Sequence, residues 1–276
     1  MREFQRKMHG VIGSPLTAFH SDLSIDYDCV ARASDALARH SFCALLASSG
    51  IGELYSLSVD EAAELTRVTV RAVAGRMPVI AGTGFNAAIG ADLARRAERD
   101  GADALLVLPP YYTNAAEAGM LEYYRAIGNA SGLPLVIYSR DWVSFGADAV
   151  ARIAERVPTA AAWKDGQGDM RRLQRMMSKV GDRLVWMGGT GDDAAPAYFG
   201  IGIQVFSSSM SALAPELPGR LGRRLRHHAK TARPLCTSVV CRARAKEGIR
   251  RGGDETGSRI TGDAGGTRAS AAAGVG

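Results

Sequence analysis

The sequence predicts an α/β fold closed as a (β/α)8 TIM barrel, on three observations. Eight short apolar runs are spread over residues 1–217, with amphipathic stretches between them. The runs are solidly apolar rather than alternating, which marks strands buried on both faces, as parallel strands are. The 276 residues are ample for one barrel whose core needs no disulfide or structural metal. An open doubly wound sheet would show the same alternation, because spacing along the chain does not fix strand order. Both architectures bind ligands at the carboxyl ends of their strands, so the chemistry is sought there.

The first strand opens at Val11-Ile12 and ends near Ser14-Pro15-Leu16-Thr17, ahead of a helix over residues 26–41. Cys43-Ala44-Leu45-Leu46-Ala47 is the second strand. Ser58-Val59-Asp60-Glu61 then fits a capping box, in which hydroxyl and carboxylate each satisfy an orphan amide, and the helix runs to about Val73. Pro78-Val79-Ile80-Ala81 is strand three, followed by an Ala-rich helix over 86–99. Ala104-Leu105-Leu106-Val107-Leu108 is strand four, with a helix near 115–128. Pro134-Leu135-Val136-Ile137-Tyr138 is strand five, with a helix over 146–156. Ala160-Ala161-Ala162-Trp163 is strand six, with a helix near 169–179. Leu184-Val185-Trp186-Met187 and a helix over 191–199 precede strand eight, Ile203-Gln204-Val205-Phe206.

The net charge of +6 is unevenly placed. Residues 218–276 hold 13 of the 34 Lys and Arg and 4 of the 28 Asp and Glu, a net of +9, leaving residues 1–217 at −3. The basicity therefore belongs to the tail, and the body is not expected to bind nucleic acid. Beyond Leu217 there is no Phe, Tyr or Trp, and Gly, Arg and Ala dominate. Such a segment buries too little apolar surface to offset its ordering entropy, so 218–276 reads as a disordered tail, most clearly over 230–276. No apolar run reaches a membrane span, and no apolar stretch follows the charges of Met1 to Met8, so neither a transmembrane helix nor a secretory signal is expected. The four cysteines read as reduced thiols, and the expected location is the cytoplasm.

Lysine is scarce in residues 1–217: only Lys7, Lys164 and Lys179. Lys164 follows the sixth apolar run and precedes the turn signal Asp165-Gly166, at the carboxyl end of a buried strand. Burial lowers a lysine pKa and frees the amine to attack a ketone; a lysine snorkelling from a strand end is the competing reading. Tyr138 ends strand five in the same way, as a proton carrier or a packing residue, and Arg140 two residues on can grip a carboxylate. Ser48-Ser49-Gly50-Ile51-Gly52-Glu53 follows strand two and offers amides to an anion. Gly82-Thr83-Gly84 lacks the third glycine of a dinucleotide fingerprint. Cys236 and Cys241 with His227 and His228 match no common zinc spacing, so no metal is expected.

Together these pieces resemble the dihydrodipicolinate synthase / N-acetylneuraminate lyase family of (β/α)8 barrels over about residues 9–217. Gly10-Val11-Ile12-Gly13-Ser14-Pro15-Leu16-Thr17 is similar to its first strand, Gly50-Ile51-Gly52-Glu53 to its carboxylate loop, Pro109-Pro110-Tyr111-Tyr112 to its fourth-strand turn and Gly191-Asp192-Asp193 to its seventh-strand signature. Ile137-Tyr138-Ser139-Arg140 and Trp163-Lys164-Asp165-Gly166-Gln167-Gly168-Asp169 resemble the 5-dehydro-4-deoxyglucarate dehydratase branch. The resemblance implies a lyase with Lys164 as Schiff-base residue and Tyr138 as proton carrier, and with Ser49, Gly50, Ile51, Arg140 and Gly189 binding a keto sugar acid. It implies loss of water and carbon dioxide to give 2,5-dioxopentanoate; a retro-aldol lyase on a related 2-keto acid is the alternative, and an inactive truncated member a further one. No cofactor is implied, because the lysine supplies the electron sink, and homo-oligomers, often tetramers, are the family habit. Ser49, Ile51, Ser139 and Ala18 depart from the family residues, respectively Gly, Thr or Ser, Asn, and Asp. Family members continue past strand eight with a long helix and more C-terminal helices; here these are expected to be missing or replaced, as a shifted reading frame in a GC-rich gene would do.

Overall fold

Strands without an exposed face must be covered by helices on one side and close on themselves on the other. That is the architecture of the computed structural model, which describes residues 1–231, with side chains described to residue 224. Eight parallel strands run in sequence order around a closed barrel: β1 (Gly10–Gly13), β2 (Ala44–Ala47), β3 (Val79–Phe85), β4 (Ala104–Pro110), β5 (Leu135–Ser139), β6 (Ala160–Asp165), β7 (Val185–Gly188) and β8 (Val205–Ser207). β8 pairs back onto β1 through Gly10↔Val205 and Val11↔Phe206, which excludes the open sheet. Nine helices are described: α1 (Arg2–Lys7), α2 (Tyr27–Leu37), α3 (Val59–Val73), α4 (Ala87–Arg99), α5 (Glu117–Ala130), α6 (Ala147–Arg156), α7 (Met170–Val180), α8 (Ala195–Gly200) and α9 (Glu216–Thr231).

Alternate residues of each strand serve two cores. Ile12, Leu46, Ile80, Leu106, Val136, Tyr138, Ala162 and Met187 fill the barrel interior. Leu135, Ile137, Trp163 and Trp186 face outward onto helix residues such as Tyr124, Ile153 and Leu173. Each fully buried Ile or Leu of these layers contributes about 1.5–3 kcal/mol. The register Tyr138↔Lys164↔Met187 sets the tyrosine and the lysine side by side in the inward-facing row, at the carboxyl end of the barrel.

The capping box forms: the Ser58 hydroxyl accepts from the Glu61 amide, and the Glu61 carboxylate accepts from the Ser58 amide. Asp26, Asn86 and Asp169 cap α2, α4 and α7 with a side-chain oxygen alone, accepting from the amides of Cys29, Ile89 and Arg172. One expectation is corrected, and two further helices are found. The helix placed over 191–199 starts only at Ala195, because the Asp192 carboxylate is engaged elsewhere, accepting from Ser208 Oγ (2.5 Å), the Ser209 amide (2.9 Å) and the Met210 amide (3.1 Å). α1, unforeseen, lays Phe4 and Met8 into the interior cluster, and Gln5 donates to the carbonyls of Ala161 and Arg183. Those partners lie at the amino-terminal ends of β6 and β7, so α1 plugs the end of the barrel away from the lysine.

α9 packs against α8 and β1, with Leu221 on the cluster of Val11, Phe199 and Phe206. A final helix therefore covers the β8–β1 seam. The rest of the tail, with Cys236, Cys241 and the shifted-frame idea, lies outside the described residues, as do the side chains of His227 and His228.

Candidate active site

Lys164 is 6% exposed and sits at the interior end of β6. Burial, aided by the positive charge of Arg140, lowers its pKa from 10.5 to about 7. At neutral pH a large share of the side chain is then uncharged amine, the form that attacks a carbonyl. Its Nζ lies 4.1 Å from the centroid of the Tyr138 ring, whose face carries the negative end of the ring quadrupole. A snorkelling lysine would reach water, and this one does not.

The Tyr138 hydroxyl donates to the Gly189 carbonyl at 3.0 Å, and burial raises its pKa, so the phenol holds its proton at neutral pH. Gly189 returns the contact on the lysine: a Cβ there would stand 2.7 Å from Lys164 Cε and 2.8 Å from the Asp165 carbonyl. Only a residue without a side chain lets the turn after β7 come this close to both. Lys164, Tyr138 and Gly189 are thus one contiguous group contributed by β6, β5 and the end of β7.

Arg140 stands above it. Its Cζ is 5.5 Å from the Tyr138 ring centroid, its Nε bonds Asp141 at 2.8 Å, and a Cβ on Gly50 would be 3.3 Å from its Nη1. The loop after β2 therefore reaches the guanidinium. It is a tight turn, closed by the Glu53 amide on the Gly50 carbonyl and the Leu54 amide on the Ser49 carbonyl. Among the described residues the amides of Gly50, Ile51 and Gly52 donate to no protein group. Free amides in a row beside an arginine make an anion-binding corner. The Ser49 hydroxyl is buried and lies 3.4 Å from that of Ser14, which braces the loop against the segment after β1. Ile51 is half-buried in the same turn.

Tyr198 and Thr190 carry no sequence motif that points to them. Asp165, buried beside the lysine, accepts from the Gly168 amide (3.0 Å), the Gln167 amide (3.3 Å) and the Tyr198 hydroxyl (2.8 Å). The Tyr198 oxygen also lies 3.0 Å from Thr190 Oγ1, which links α8 to the turn holding Gly189. A buried carboxylate demands such donors, and that demand was the available signal; which tyrosine supplies one was not. Gly82 and Gly84 lie within β3, where a Cβ on Gly82 would collide with the Ser48 carbonyl, so they serve strand packing under the β2 loop. Tyr111 and Tyr112, at the end of β4, are more than four-fifths exposed and meet edge to face at 6.1 Å.

The model of the Dihydrodipicolinate synthetase family matches residues 7–240. The chain belongs to this family. The match extends beyond residue 217, where the sequence resemblance was expected to stop. A protein of Xanthomonas campestris pv. campestris (strain B100), described as "Probable 5-dehydro-4-deoxyglucarate dehydratase", is 36% identical over 84% of this chain and 77% of its own. One of Saccharopolyspora erythraea with the same description is 36% identical over 86% and 78%. Among solved structures, dihydrodipicolinate synthase from Bacillus clausii superposes with a TM-score of 0.77 at 26% identity, covering 83% of this chain and 77% of that one. The enzyme from Acinetobacter baumannii, complexed with pyruvate, gives 0.75 at 26% identity, covering 81% and 79%. The family member described here is an enzyme of the lyase type. Among the described residues no helix is long and apolar enough to cross a membrane.

Proposed function

We propose that this lyase carries out the decarboxylating dehydration of 5-dehydro-4-deoxy-D-glucarate to 2,5-dioxopentanoate, water and carbon dioxide, through an imine on Lys164. The observation that carries the reading is the buried lysine with its pKa near 7, packed on Tyr138 and Gly189 at the carboxyl end of a barrel. The description shared by the two relatives supports the choice of substrate, and the pyruvate complex of a structural neighbour supports a 2-keto acid as the reacting group.

The neutral amine adds to the ketone, and loss of water gives the imine. The iminium nitrogen draws electrons from the neighbouring carbon, whose proton becomes acidic. Its removal, followed by departure of the β-hydroxyl as water, yields a conjugated iminium. That cation accepts the electron pair released when the far carboxylate leaves as carbon dioxide; the resulting dienamine takes up a proton, its enol end becomes the aldehyde, and hydrolysis of the iminium returns the free lysine. Tyr138, protonated and in contact with the lysine group, carries protons to the carbinolamine and the leaving hydroxyl. The amides of Gly50 and Ile51 hold the carboxylate beside the ketone, Ser49 acts through the loop it braces, Gly189 shapes the wall at the lysine, and Arg140 binds the far carboxylate. No cofactor is required by this sequence of steps. A homo-oligomer is proposed as well, supported by the two exposed tyrosines after β4.

Product analysis tests the reaction. Incubation with 5-dehydro-4-deoxyglucarate is expected to release carbon dioxide and 2,5-dioxopentanoate in equal amounts. Release of pyruvate would instead identify a retro-aldol lyase, and neither product from folded protein would overturn the reading.

A further inference from the structure

Arg140 does not sit on a strand. It opens a turn over residues 140–143, in which the Val143 amide donates to the Arg140 carbonyl at 3.0 Å and Asp141 takes a left-handed φ of 50°. A non-glycine residue in that region costs free energy and persists only where its surroundings hold it. Inside β5, Ser139 Oγ donates to the Val143 carbonyl at 2.8 Å. From outside, Gln167 reaches across from the turn after β6, and its Nε2 donates to two carbonyls at once, Asp141 at 3.1 Å and Val143 at 3.0 Å. Two carbonyl oxygens accept only from a donor, so the amide nitrogen faces them and an oxygen in its place would be repelled. Gln167 is aimed in turn by Asp165, which accepts from the amides of Gln167 and Gly168, and by the Gly166 amide on the Ser139 carbonyl at 2.7 Å. A chain of hydrogen bonds thus runs from the residue next to Lys164 to the turn that presents Arg140.

We infer that Gln167 is a positioning residue for Arg140, and that it sets the preference of the site for keto acids carrying a second carboxylate. The inference rests on the imine reading given above and on Arg140 as the partner of the far carboxylate. Gln167 touches neither the lysine nor Tyr138 through any side-chain bond, so its loss leaves the imine chemistry in place and displaces the guanidinium. A carboxylate gripped by a preorganised guanidinium loses affinity when the guanidinium must be ordered on binding.

Gln167→Met keeps the shape and removes both donors, while Gln167→Glu keeps the shape and presents acceptors to the two carbonyls. Both are expected to raise KM for 5-dehydro-4-deoxyglucarate about tenfold, with kcat within about twofold, matching the loss of one or two net hydrogen bonds. Borohydride trapping on Lys164 of pyruvate, a keto acid without a second carboxylate, is expected to stay within about twofold of the parent protein when measured at a pH above the lysine's titration, where a change in the Arg140 field does not enter. In an Arg140→Met background, Gln167→Met is expected to add no further loss, because the two changes remove the same interaction. An unchanged KM overturns the inference, as do equal losses for pyruvate and the dicarboxylate or additive losses in the double variant. A parent protein that traps neither keto acid at Lys164 would overturn the imine reading itself, and that outcome is distinct from all three.

Discussion

Removing an amine from water disfavours its ammonium, and at Lys164 the effect is large because the side chain ends a strand inside the barrel with Arg140 as a nearby like charge. The direction fixes a pH profile. Below pH 7 the lysine is protonated and cannot attack a ketone, so kcat/KM is expected to rise with pH on a limb centred near 7 and level off above it. Arg140→Met removes the positive charge that helps expel the proton, which stabilises the ammonium and moves the limb to higher pH; a limb that stays or moves to lower pH would contradict this electrostatic link. Sequence could place Lys164 and Tyr138 at strand ends, since each follows an apolar run. It could not show that they are register partners, because that depends on how far β6 slides along β5. The contact between the buried hydroxyls of Ser14 and Ser49 likewise depends on how the turns after β1 and β2 meet, which spacing along the chain does not give.

Turns between elements do most of the placing. The turn after β7 brings Gly189 against Lys164, and the turn after β6 sends Gln167 to the turn after β5. Gly189→Ala would drive a methyl group to 2.7 Å from Lys164 Cε and 2.8 Å from a backbone carbonyl, so the lysine or the loop must move. We expect kcat to fall at least about tenfold, since small displacements of reacting groups are costly, and stability to fall by about 1–3 kcal/mol through overpacking. Wild-type turnover in this variant would show that the close approach is not needed. The strands and most helices were legible from apolar runs and caps, as the box at Ser58 and Glu61 shows. α1 was not, because six charged and mixed residues without a side-chain cap carry little periodic signal, and its reason for being helical is the barrel end that Phe4 and Met8 fill. α8 began late because Asp192, which could cap it, holds the residues after β8 instead.

For the molecule as a whole, closure is what assembles the site. β8 must pair with β1 for the Ser14 and Ser49 hydroxyls, the Asp192 cap and the Gly189 turn to occupy one rim. α9 covers that seam, although its Arg-rich composition reads as tail; Leu221 on Val11, Phe199 and Phe206 supplies an apolar anchor that the surrounding arginines hide in sequence. Leu221→Ala is expected to destabilise the protein by about 1–3 kcal/mol, seen as a lower midpoint in urea with an unchanged slope. No change in midpoint would mean that α9 does not contribute to closing the barrel. The charge asymmetry of the chain leaves the body mildly acidic, so the dianionic keto acid we propose as substrate has to be drawn in by local groups rather than by net charge, and Arg140 and the free amides after β2 are the groups proposed for that role.

Imine formation between Lys164 and a 2-keto acid is open to sodium borohydride reduction in the presence of 5-dehydro-4-deoxyglucarate or pyruvate, followed by peptide mass mapping. One reduced adduct per chain is expected, on Lys164, absent without keto acid and absent in Lys164→Met. An adduct on another lysine, or none from folded protein with either acid, would rule out the imine on Lys164.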